Sequence, residues 1–252
     1  MTVRRFRKPR CTAMRIDVLT LFPEMFDSVL SASIMGRAAE KGLIDIRTHN
    51  IRDYSANKHK TTDDYPFGGG AGMVMMCQPV FDCMAAVTQG ESVHRIYMSP
   101  RGRTLTSKRA QELSKLDRLV VLCGHYEGID ERIMTIIDEE ISIGDYVLTG
   151  GEIPAMALID CVSRFIDGVL GSSESALDES FSNGLLEYPQ YTRPADYNGM
   201  KIPEILLSGH HANIEKWRRQ QALLTTARTR PELLERLALT RDDKLFLEEK
   251  NI

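Results

Sequence analysis

"HRIYMSPRGRTLTSKRAQELSKLDRLVVLCG", residues 94 to 124, changes its period twice. "HRIYMS" alternates as a strand does, "TSKRAQELSK" (106–115) carries helix formers after a capping threonine, and "RLVVLCG" (118–124) is a branched apolar run ending on glycine. Strand, helix and strand in that order make a crossover between parallel strands.

Working outward, the same alternation continues. "MRIDVLTLF" (14–22) reads as a strand, Pro23 opens a helical stretch that ends near Gly42, and "LIDIRTH" (43–49) is a second strand. After a long polar loop, "PVFDCMAAVTQG" (79–90) is helical and stops on glycine. Downstream, "IDERIMTIID" (129–138) reads as a helix and "EISIGDYVL" (140–148) as a strand. In "GGEIPAMALIDCVSRFI" (150–166), Met156, Ile159, Val162 and Ile166 fall at helical spacing. This order predicts an α/β fold, a parallel sheet with helices on both faces, over residues 14 to about 171.

Residues 1 to 13 form a basic N-terminal arm, expected to be floppy. "LGSSESALDESFSNG" (170–184) is small and polar, which places an interdomain linker at 172–184. Residues 185 to 252 read as an all-helical domain. Ser208 is the expected cap of a helix through about Arg228, Pro231 suits a first helical position, and Thr240 with Asp243 resembles a capping box.

Composition removes several function classes. No apolar run approaches the roughly 20 residues that span a bilayer. The five cysteines include no C-x-x-C pair, so neither a disulfide framework nor a zinc site is favoured, and a reducing, cytoplasmic setting fits. A net charge of −3 conceals an uneven distribution: the first 15 residues carry six Lys/Arg and no acid, whereas "KWRRQQALLTTARTR" (216–230) carries five basic residues and no acidic one. Such a stripe is either a solvated helix face or a track for a phosphate backbone.

Ligands of open parallel sheets sit beyond the carboxyl ends of the strands. Three glycine- or proline-rich loops lie at that edge: "SPRGR" (99–103), "CGHYEGIDER" (123–132) and "IGDYVLTGGEIP" (143–154). Neither G-x-G-x-x-G nor a P-loop follows the first strand, and the acids Glu127, Asp130, Asp145 and Glu152 disfavour polyphosphate. A neutral or cationic molecule with an aromatic base suits such loops; S-adenosylmethionine is one candidate among several.

Seven stretches, "LTLFPEMF", "YPFGGGAGMVMM", "YMSPRGR", "LCGHYEGIDERI", "DEEISIGDYVLTGGEIPAMALIDCVSRF", "GLLEYPQYTRP" and "PEILLSGHHANIEKWRR", together resemble the bacterial tRNA (guanine-N1)-methyltransferases of the TrmD family. The resemblance runs from Met14 nearly to the end. It implies a SPOUT-class enzyme with a deep trefoil knot, working as a homodimer, that methylates N1 of guanosine 37 beside the tRNA anticodon. It assigns S-adenosylmethionine to Tyr97, Met98, Ser99, Pro100 and Gly102; to Gly124, Tyr126 and Glu127; and to Ser142, Ile143, Gly144, Asp145, Tyr146, Val147, Leu148, Gly150, Gly151 and Pro154. It also brings Mg2+, for which no ligand cluster can be named.

Chemistry constrains the remaining roles. Guanine N1 is protonated at neutral pH, so methylation requires a base, and charge developing on O6 requires a cation or donor. The resemblance puts the base in "ALDESF", where this chain has Asp178 then Glu179 in place of the commoner Glu-Asp order; Asp178 is preferred. Arg164 matches the family's arginine near O6. For RNA contacts the candidates are His59, Lys60, Arg193, Lys216, Arg218 and Arg219, with core packing the simpler role for Trp217.

Overall fold

The structure, a computed structural model, describes residues 13–171 and 179–251. The chain divides into two compact units, with the boundary between Ser172 and Ser173.

The first unit begins with β1 (Met14–Thr20), followed by α1 (Glu24–Leu30), α2 (Ser33–Glu40) and β2 (Ile44–Asn50). A 3-10 turn over Ile51–Tyr54 and a short antiparallel ladder of β3 (Asp63–Asp64) with β4 (Val74–Met75) lead into α3 (Cys77–Thr88). Then come β5 (His94–Thr104), α4 (Ser107–Leu113), β6 (Arg118–Cys123), a 3-10 helix over Glu131–Ile136, β7 (Glu139–Ser142) and α5 (Glu152–Ser163). The five long strands form one parallel sheet in the order β2-β1-β6-β5-β7.

Strand alternation sorts the core into two layers. Ile16, Val18, Ile96, Met98, Leu119 and Val121 pack with Phe26, Leu113, Leu158 and Val162 beneath α1, α4 and α5. On the other face Leu19, Tyr97, Val120 and Leu122 meet Val80, Cys83, Met84 and Val87 of α3, with Ile51 and Ile133. Both faces are therefore covered, as the near-continuous apolar strands require. Each fully buried Leu, Ile or Val adds about 1.5–3 kcal/mol relative to an exposed one.

One polar cluster interrupts the second layer. Asp17, fully buried in β1, accepts from Arg15 (2.8 Å) and Arg118 Nε (2.9 Å), and its Oδ1 lies 2.8 Å from His49 Nε2. Burial alone would raise this carboxyl, but the hydrogen bonds from His49, Arg15 and Arg118 outweigh it and hold the group at about 2.

Several elements differ from the sequence reading. The single helix expected between Pro23 and Gly42 is two, because Ser31 ends α1 and Ser33 adopts φ +51° at the start of α2. Residues 129–138 hold a 3-10 helix, entered through Asp130, whose carboxylate accepts from Arg132 N at 2.9 Å. The strand expected over 140–148 stops at Ser142, whose hydroxyl bonds the Gly144 amide (3.1 Å) and carbonyl (3.0 Å) and turns the chain away from the sheet.

The second unit is not all-helical. "DYNGMK" makes a two-stranded hairpin, β8 (Asp196–Tyr197) with β9 (Met200–Lys201), turned by Asn198 and Gly199, both at positive φ. Asn-Gly is the strongest short hairpin signal, and reading residues 185–252 as all-helical passed over it. A 3-10 turn over Glu204–Leu207 precedes α6 (His211–Thr229), α7 (Pro231–Glu235) and α8 (Arg241–Glu249). His210 is the N-cap of α6; Ser208 closes the preceding turn instead, donating to Ile205 O at 2.7 Å. Thr240 and Asp243 do form a capping box. Leu185, Ala222, Leu223 and Leu247 build this unit's own core.

Candidate functional site

The sheet order creates the site. β6 lies between β1 and β5, whereas β7 lies on the far side of β5, so successive crossovers leave β5 and β6 in opposite directions. Such a switch point opens a crevice at the carboxyl edge. The loop that interrupts β5 and the loops that follow β6 and β7 meet there around a cavity of about 300 Å3.

The first loop is a break within β5 itself. Met98 and Arg103 both pair with Ile141, so residues 99 to 102 bulge out of the ladder and return to it. A Cβ on Gly102 would lie 2.5 Å from Glu140 C and Ile141 N, so only glycine fits where this excursion recrosses β7. The second and third loops are bound to each other. Gly151 N donates to Gly124 O at 2.8 Å, and His125 and Gly150 pair as an isolated bridge. A Cβ on Gly151 would stand 2.8 Å from both Cys123 Cα and Gly124 N.

From behind, "YPFGGGAGMVMM" braces the second loop. Glu127 N donates to Met73 O (3.0 Å), Met75 N to Gly128 O (2.9 Å) and Asp130 N to Met75 O (3.0 Å). Gly72, at φ +76°, lets the chain pass beside Glu127, where a Cβ would meet Cγ at 2.4 Å. Beneath the loops Glu152, 2% exposed, accepts from Thr20 Oγ1 at 2.8 Å; its other oxygen lies 3.9 Å from His125 Nδ1. That ring nitrogen is buried without a hydrogen bond among the described residues, and His125 packs against Phe22 and edge-on against Tyr126.

The cavity wall combines apolar and acidic groups. Ile141, Val147, Leu148 and Pro154 line it together with Glu127 and Glu131. Arg101 pairs with Glu131 at 3.3 Å and Glu140 at 3.5 Å, and the charge of Glu140, then of Glu131, raises its guanidinium above the ordinary value. Burial pushes the Tyr97 phenol up to about 12 and the Cys123 thiol well above its usual range, so neither ionises near neutrality.

Of the residues expected to hold the cofactor, all but two line this cavity. Gly102 faces a separate groove beside β7 and serves the crossing described above; Asp145 does not line it. Among the four acids taken as flanking it, Asp130 is bound by Arg132 in a two-pronged pair (2.9 and 2.7 Å), and Glu152 is buried beneath. Arg101, His125, Gly128, Ile129, Glu131, Ile141 and Thr149 also line it; all but Ile141 belong to the three loops, yet none was assigned to the cofactor. The glycine spacing selected the loops but not which neighbours turn inward.

Arg164 is the C-cap residue of α5 and is half-buried. Asp178 lies outside the described residues; Glu179 is half-buried in the second unit. His59 and Lys60 are exposed, with Lys60 Nζ 2.7 Å from Asp53. Arg193 and Lys216 are exposed, whereas Arg219 binds Asp243 at 2.9 and 3.2 Å and thereby ties α6 to α8. Among the described residues no group of three His, Cys, Asp or Glu is disposed to hold a metal ion, and no helix is long and apolar enough to cross a membrane.

Comparison with known proteins places the chain. The family model described as tRNA (Guanine-1)-methyltransferase TrmD matches residues 14–236. Proteins named tRNA (guanine-N(1)-)-methyltransferase are similar over almost their whole length. One from Ruminiclostridium cellulolyticum is 65% identical over 89% of this chain and 97% of its own. One from Caldanaerobacter subterraneus subsp. tengcongensis is 58% identical (94% and 98%), and one from Clostridium botulinum 57% (94% and 99%). With a model matching nearly nine-tenths of its length and relatives this similar, the chain belongs to the TrmD family of tRNA (guanine-1)-methyltransferases.

Proposed function

We propose that this protein transfers a methyl group from S-adenosylmethionine to N1 of guanosine 37 in tRNA. The observation that carries the reading is the convergence of three backbone-rich loops on one acid-lined cavity at the sheet's switch point. The lining suits the cofactor. Apolar side chains from Ile141, Val147, Leu148 and Pro154 offer faces to an aromatic base, and Glu127 and Glu131 complement a sulfonium and an amine. When bound there, S-adenosylmethionine supplies an electrophilic methyl group.

The protein's own groups have two tasks. A carboxylate of the pair Asp178 and Glu179 takes the proton from guanine N1, freeing its lone pair, and Arg164 steadies the charge that grows on O6. Tyr97, a wall of the cavity, and Cys123, buried in the core behind it, stay protonated and do not serve as bases. The reading extends to a knotted topology for the loops, a homodimer working in the cytoplasm, and RNA contacts by the second unit through Lys216 and Arg193.

The test is single-turnover methylation at saturating cofactor, on transcripts carrying guanosine or adenosine at position 37. Only the guanosine transcript is expected to react. Replacing the base should slow the step by about 10²–10⁴-fold, so Asp178→Ala and Glu179→Ala are assayed separately. Near wild-type rates in both would remove the assignment.

A further inference from the structure

A second cavity, of about 440 Å3, lies wholly within the second unit, and its chemistry is the opposite of the first. Tyr188, Tyr191 and Trp217 supply aromatic walls, Arg193 and Arg218 supply positive charge, and among the described residues no carboxylate lines it. The rings of Tyr191 and Trp217 are 6.5 Å apart and tilted by 47°, an ordinary aromatic pair that forms one side of the cavity. Tyr191 remains 48% exposed, and Trp217, expected to be a core residue, is only half-buried.

Arg218 connects the wall to α6. Its guanidinium sits 5.0 Å from the Tyr188 ring centre, its Nη1 donates to Glu215 at 2.7 Å, and its buried Nε–H has no hydrogen-bond partner among the described residues. A buried donor left open on an aromatic wall marks a site whose hydrogen bonding is incomplete. Beside it the 216–230 stripe, basic and free of acids, begins at the exposed Lys216.

Aromatic faces with arginines around them, and no acid, are the requirements for holding an unstacked nucleobase next to its phosphates. We infer that this cavity takes one unpaired base of the RNA substrate, other than the guanine that is methylated. Among the described residues none that lines it is a carboxylate able to accept an N1 proton, which separates it from the reacting site. The stacking is provided by Tyr191 and Trp217, while Arg193 and Lys216 meet the flanking phosphates. This rests on the reading of the protein as a tRNA methyltransferase.

The experiment uses the full chain with labelled anticodon stem-loop RNAs, intact or abasic at one loop position other than the target guanosine. Wild-type protein is expected to lose about tenfold in affinity at one such position, the scale of a single stacked base. Tyr191→Leu should lose about tenfold on the intact loop and be indifferent to that same abasic site, whereas Tyr191→Phe should behave as wild type. S-adenosylmethionine affinity and melting temperature report whether each variant is folded. Trp217 is the only tryptophan, so its emission should change with the intact loop and not with the abasic one, a readout that serves even if Tyr191→Leu does not fold. Wild-type indifference to every abasic position, or a folded Tyr191→Leu whose loss simply adds to each of them, overturns the inference while methyl transfer to tRNA stands. Failure of the wild type to methylate the transcript or bind any stem-loop overturns both.

Discussion

Gly151→Ala tests the architecture of the first cavity directly. Gly151 has φ −81°, so alanine meets no backbone penalty there and any effect comes from space. The new methyl would stand 2.8 Å from Cys123 Cα and Gly124 N and 3.2 Å from Cys123 C, all main-chain atoms that no rotamer change relieves. Restoring an ordinary contact means moving the two loops apart by roughly 0.6 Å or more, against the 2.8 Å hydrogen bond from Gly151 N to Gly124 O. Overpacking of this kind costs about 1–3 kcal/mol. For a unit of this size, that lowers the melting temperature by about 2–4 °C per kcal/mol. The same displacement widens the cavity, and S-adenosylmethionine affinity should fall about tenfold for each 1.4 kcal/mol that binding must spend to close it again. Calorimetric titration with a parallel thermal melt measures both. Gly171→Ala, whose methyl would touch nothing within 4 Å among the described residues, is the control and should match wild type. Wild-type affinity and melting temperature in Gly151→Ala would refute the claim that these loops are fixed by backbone contact.

Two further outcomes follow from buried polar groups. Asp17, held at about 2 against an ordinary 3.8, has a depressed folded-state value, so its contribution is present above about pH 4 and disappears as pH falls toward 2. At about 1.4 kcal/mol per pH unit it is worth roughly 2 kcal/mol; urea titrations across that window should show a shallower acid loss in Asp17→Asn than in wild type, and equal slopes would refute the assignment. Thr20→Val should cost about 2–4 kcal/mol, because it removes the donor to buried Glu152 and the acceptor of Phe22 N, whereas Thr20→Ser should recover most of that in a thermal melt.

Much of this protein was legible in its sequence because the signals are local. The branched run "RLVVLC" and the alternating "MRIDVLT" can bury both faces only within a covered sheet, and Thr240 with Asp243 forms its capping box from residues three apart. Glycines at 124, 150 and 151 marked the loops, since a close backbone approach excludes a side chain. Other features depended on partners far along the chain. Residues 99 to 102 leave and rejoin β5 because Met98 and Arg103 find the same residue of β7, which no property of "SPRGR" announces. Glu152 is an acid in a flanking loop until the fold carries Thr20 to it across 132 positions. Arg219 reads as one more charge in a basic stripe, and only the docking of α8 turns it to Asp243; Trp217, meanwhile, became a wall of a cavity once Tyr191 was brought beside it. Period, capping and backbone freedom act over a few residues, so most strands and helices of the first unit, the family resemblance and the ligand edge of the sheet could be read from residues alone. Which side chains are committed to one another and which still face open space depends on contacts between distant segments, and emerges only in the folded chain.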